Sequence, residues 1–251
     1  MANAKKKSVK KAVKKTIEAA QEVAVAATTE ISKEVASTKP ARGFGDEDTS
    51  ELLLPRIELL QSMSPSVQNG QGTAGHLVNQ ISKTKLSTDI FIPIAMHRKF
   101  IKWIPRSEGG GVEYQTTDPK DKRVIEDTKW GPHGEKPSCT KYLNFLVLLE
   151  GETLPIILSF AMTSFQAGRK LYTMCKMAGG DIWEKKYKIS SLSKTNQMGT
   201  FFVFEVAEAG TTEERERQIA EQLYNSFSDR DLKFDMEHDQ TKATATDGED
   251  Y

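Results

Sequence analysis

Cysteine is nearly absent. The 251 residues include only Cys139 and Cys175, with no CxxC pair, and only four histidines. That excludes a disulfide framework and the common structural zinc sites, and it fits a reducing, cytoplasmic compartment. Long apolar runs are missing too. Residues 145–149 and 154–158, the second interrupted by Pro155, fall far short of the ~20 residues that span a bilayer, so no membrane is expected. Net charge is also lacking, with 35 basic against 35 acidic side chains. Apolar content is low at 37%, which predicts segments unable to bury a core.

Catalytic signatures are absent as well. There is no GxxxxGK[ST], GxSxG or HExxH, and no HxE followed by CxxC. Gly109-Gly110-Gly111 lacks the βαβ context of a dinucleotide fingerprint. His76, His97, His133 and His238 are scattered, and the acid pairs Asp46/Asp48 and Glu213/Glu214 sit at a hinge and a helix start. The expectation is a protein that is not an enzyme and needs no cofactor or metal.

What is present is charge segregation. Residues 1–44 hold ten Lys/Arg against four Glu, while 235–251 hold six acids against Lys242. The run Lys5 to Lys15 attracts polyanions, phosphate backbones above all, or simply solubilises the chain. Residues 1–45 read as a basic arm, partly helical or disordered, that docks on a partner or stays mobile. A transit peptide is the minor alternative. Residues 235–251 read as a disordered acidic tail ending Asp247-Gly248-Glu249-Asp250-Tyr251.

Residues 46–234 read as the folded domain, mainly strands with turn signals at short intervals. Residues 52–61 read as extended and 89–104 as a basic, aromatic strand or hairpin. Residues 107–137 read as a long loop carrying Tyr114, Lys129 and Trp130 among cations. A hairpin follows over 142–149 and 154–162, then a helix over 165–178 capped by Thr163 or Ser164 and stopped by Gly179-Gly180. Strands over 182–192 and 199–207 and a last helix over 213–227, capped by Thr211 or Thr212, complete it. The class predicted is β-rich α+β, an OB-fold-like small barrel elaborated with helices and flanked by disordered tails, with a sandwich as the alternative.

Two stretches are basic: 81–106, with six cations against Asp89, and 165–194, with seven against Asp181 and Glu184. Single-stranded nucleic acid needs cations along a groove and flat rings on which bases stack, each stack worth ~1–3 kcal/mol. The candidate DNA-binding residues are Arg98, Lys99, Lys102, Trp103, Arg106, Trp130, Tyr142, Arg169, Lys170, Lys185, Lys186, Tyr187 and Lys188.

With these features, and with SELLLPRIELLQSMSPSV, IFIPIAMHRKFIKWIPR, LSFAMTSFQAGRKLYTMCKMAGG and GTFFVFEV across residues 50–207, the chain resembles bacteriophage single-stranded-DNA-binding proteins. The resemblance implies an OB-fold core that coats single-stranded DNA in phage replication, recombination or repair, in the host cytoplasm. It also implies a tail, here Asp247, Glu249, Asp250 and Tyr251, that recruits replication or recombination proteins such as a polymerase. The tip departs from the Pro-Phe ending of bacterial relatives, and the Lys-rich arm is no part of that pattern. Homo-oligomerisation is left open. The alternative function is a virion or assembly protein that touches the genome through its basic arm.

Overall fold

The computed structural model describes residues 54–197 and 199–227. The arm, the acidic tail and its four candidate residues lie outside them. Eight strands and four helices follow the order β1 (Ile57–Leu59), α1 (Pro65–Gln68), β2 (Leu77–Asn79), β3 (Ile90–Trp103), β4 (Val112–Thr116), α2 (Lys122–Asp127), β5 (Cys139–Leu149), β6 (Ile156–Phe160), α3 (Phe165–Ala178), β7 (Lys185–Asn196), β8 (Gly199–Thr211) and α4 (Glu214–Phe227). The chain is β-rich α+β. Its main sheet is antiparallel in the order β6-β5-β3-β7-β8, with β4 also on β3, and β1 and β2 form a separate ribbon.

The segment around β1 links the two outer strands of that sheet. Ile157 N–H on β6 donates to Pro55 C=O at 2.8 Å. Six residues on, the Gln61 side chain accepts from Phe202 N–H on β8 at 2.8 Å and donates to Phe202 C=O at 2.9 Å. Ile57 and Leu59 lie between these ends and join the core cluster of Phe145, Phe160, Tyr187 and Phe204. The strand ladder itself does not continue round, so no closed barrel forms among the described residues.

β5 is buried from Tyr142 to Leu149 because both of its faces are covered. Leu143, Phe145 and Val147 face α3 through Leu171 and Cys175. Leu146 and Leu148 face α4 through Ala220, with Ile219 and Leu223 packed alongside. α3 approaches β6 so closely that a Cβ on Gly168 would lie 2.6 Å from the Phe160 Cβ.

β3 carries a bulge that resets its alternation. Pro93 pairs with Val147 but Ala95 pairs with Leu146, which leaves Ile94 as the extra residue. Proline has no N–H to lend the ladder, which is why the irregularity falls here. Before the bulge Phe91 faces α3; after it Met96, Arg98, Phe100 and Lys102 lie on that same sheet face, across from Phe145, Leu143, Lys141 and Cys139, with Phe100 and Lys102 beyond α3 against β4 and α2. Without the inserted residue, Lys99 would take Arg98's face.

Several local expectations change. Residues 107–137 are not a plain loop but contain β4 and α2. Tyr114 is buried there, and its hydroxyl donates to Asp127 at 2.8 Å. Ser164 precedes α3 without capping it; its hydroxyl accepts from Phe204 N–H at 3.4 Å. At α4 neither threonine caps: Glu216 folds back to accept from Glu213 N–H at 2.8 Å, and the Thr212 hydroxyl is enclosed without a partner.

Candidate nucleic-acid interface

α3 presents Phe165, Arg169, Tyr172 and Lys176 at i, i+4, i+7 and i+11, one stripe beside the buried Gly168, Leu171 and Cys175. The α3-facing side of β3 and β5 supplies Arg98, Phe100 and Lys141. The two sets meet. The Arg98 guanidinium lies 5.7 Å from the Tyr172 ring centre, and Lys176 Nζ lies 6.0 Å from the same ring. Lys141 Nζ is 5.4 Å from the Phe165 ring and 5.7 Å from that of Phe100. These are cation–π distances.

Burial first, and then repulsion from Arg98 and Arg169, holds the Lys141 ammonium below the ordinary lysine range. Among the described residues, none of Arg98, Lys141, Arg169, Lys170 and Lys176 forms an ion pair with an acid. A fold gains nothing from gathering uncompensated like charges, so the arrangement suits an anion that arrives from outside. Arg98, Arg169 and Lys170 were among the residues singled out from the sequence. Lys141, Lys176, Tyr172 and Phe165 were not, although a lysine on the inward parity of an apolar strand and a stripe at helical spacing were both readable signals.

The remaining candidates are placed otherwise. Lys102 is bound to Glu113 at 3.1 Å and Asp127 at 3.3 Å; the hydrogen bond it donates to Glu113 leads in raising its pKa, against burial. Lys185 meets Glu208 at 2.5 Å, Lys186 sits between Glu150 (2.9 Å) and Glu216 (2.6 Å), and Lys188 meets Asp89 at 3.0 Å. These lysines are already balanced. Tyr187, expected as a stacking ring, is 0% exposed and packs on Phe91 with ring centres 6.1 Å apart. Burial, and then the Cys175 thiol beside it, raises its hydroxyl pKa. Tyr142 is buried as well, across from Lys99 on the sheet face away from α3. Neither tyrosine offers a ring to a base.

Trp103 is half-buried at the end of β3, with its indole N–H enclosed and unpartnered. Arg106 opens the 3-10 turn Arg106–Glu108. Trp130, just past α2, is 67% exposed and remains a ring that a ligand can reach. No group of three or more His, Cys, Asp or Glu among the described residues is placed to hold a metal ion, and none of their helices is long and apolar enough to cross a membrane.

The model of the Pam3 phage gp34-like protein family matches residues 23–233. The chain belongs to this phage family. No curated protein and no solved structure matches it. The matched span includes every strand and helix described above, and with them the whole cluster from Arg98 to Lys176.

Proposed function

We propose that this phage protein binds single-stranded DNA without catalysing a reaction on it, coating and protecting the strand during phage replication or recombination. The observation that carries the reading is the cluster of Arg98, Lys141, Arg169 and Lys176, unpaired with acids among the described residues and interleaved with Tyr172 and Phe165. Cations without internal partners draw phosphates, and rings among them give bases a surface on which to stack. Duplex DNA keeps its bases paired and stacked, so rings help only with a single strand. The protein then works in the host cytoplasm, with its acidic C-terminal residues recruiting replication partners.

The test is a titration with an oligothymidine and with a duplex of equal length, at two salt concentrations, read by tryptophan fluorescence and by anisotropy of a labelled strand. Binding that prefers the single strand and weakens steeply with salt is expected. Equal, weak response to both would sink the reading and favour a virion or assembly protein that touches the genome through its basic arm.

A further inference from the structure

A cavity of about 360 Å³ adjoins the cationic stripe. It is lined by Ala95, Met96 and His97 on β3, by Tyr172, Cys175 and Lys176 on α3, and by Gly180, Ile182 and Tyr224. Resting on the reading above, we propose that it receives one unpaired nucleobase, turned out of a strand whose phosphates lie along Arg98, Lys141 and Arg169.

Three observations favour this occupant. The size lies near the lower end of small-ligand pockets, roughly 300–1,000 Å³, which suits one flat ring rather than a folded ligand. The lining mixes rings, apolar groups and polar ones, as a nucleobase does: Tyr172 and Tyr224 give two aromatic rings, Met96 and Ile182 an apolar wall, and His97 and Lys176 polar groups. Charge lies at the mouth: Lys176 is the cation in the cavity lining, and Arg98 lies within cation–π distance of the same Tyr172 ring. Gly180 and Cys175 bring the C-terminal end of α3 to the cavity, where carbonyl oxygens point outward and the helix dipole is negative. Those carbonyls can accept hydrogen bonds from the N–H groups of a base. A nucleotide therefore has one orientation, phosphate towards Arg98 and base towards Tyr224.

The experiment compares an oligothymidine with an abasic strand of equal length and charge, on the full chain. The intact protein should prefer the thymidine strand by about five- to hundredfold, the range of one stacked base. Tyr224→Ala, at a side chain 39% exposed, should lose most of that preference and keep its affinity for the abasic strand. Equal affinity of the intact protein for both strands would overturn the base pocket and leave phosphate binding standing. A preference that Tyr224→Ala leaves untouched would also overturn it. Absence of binding to either strand would defeat the single-strand reading itself. A second measurement needs no variant: photocrosslinking of a 4-thiothymidine strand should label α3 or Tyr224, and labels confined to the Trp130 loop would overturn the pocket.

Discussion

Lys141 is the residue whose local physics runs against the fold. Its neighbours along β5 on the α3 side are apolar, yet its ammonium sits between Phe165 and Phe100 and is repelled by Arg98 and Arg169. A position shaped for stability alone would be apolar. Lys141→Met should therefore leave stability unchanged or raise it, by about 0.5–2 kcal/mol, and weaken oligothymidine binding several-fold. Urea denaturation and anisotropy titration check the two halves, and a variant that loses stability would mean the lysine is structural. The pH dependence has a definite sign. Folding lowers the proton affinity of Lys141, so below the ordinary lysine range the unfolded chain binds more protons there, and stability from this group rises with pH in that window. A bound phosphate favours the charged form instead. Oligothymidine affinity should thus fall as pH approaches the ordinary lysine range, more steeply in the parent protein than in Lys141→Met.

At the scale of elements, the site exists because a bulge and a glycine set two surfaces in phase. The extra residue Ile94 turns Arg98 towards α3, and Gly168 lets α3 settle against Phe160. Gly168→Ala puts a Cβ within 2.6 Å of the Phe160 Cβ, against packed core rather than a flexible side-chain end. It should cost about 1–3 kcal/mol and lower the melting temperature in calorimetry, with DNA affinity falling as α3 is pushed off the sheet. The bounds of α3 were legible in the sequence from a helical stripe and the stop at Gly179-Gly180, although the expected hydroxyl cap does not form, and β3 and β5 were legible from their β-formers. The phase of β3 was not. A bulge is a property of pairing, and nothing in IFIPIAMHRKFIKW by itself says that Arg98 rather than Lys99 turns to the helix. β4 and α2 were hidden for another reason: they are short, and Tyr114 and Val124 find their burial against Phe100 and Cys139, on the strands before and after them.

On the scale of the whole molecule, formal neutrality conceals a division between cations that are balanced and cations that are not. Lys185, Lys186 and Lys188 looked like a binding patch because they crowd around Tyr187. Their carboxylates, Glu208, Glu150, Glu216 and Asp89, come from other parts of the sequence, and Tyr187 belongs to the core. Local charge counts cannot see such partners. The link across the sheet is equally remote in sequence: Gln61→Leu would strip Phe202 of two hydrogen bonds, and a loss of about 1–3 kcal/mol in urea denaturation is expected. The division of charge also makes a prediction about salt. For a single strand, each phosphate neutralised contributes about 0.7 to the slope of log affinity against log salt. Replacing Arg98, Lys141 and Arg169 together by glutamine should flatten that slope by roughly 2, since three contacts are lost. The same change at Lys185, Lys186 and Lys188 removes lysines that already have carboxylates, and should flatten it far less. Measuring oligothymidine affinity at four or five salt concentrations for both triple variants decides the matter. If the Lys185 set proves the steeper loss, the strand runs along β7 and the α3 cluster is not the groove.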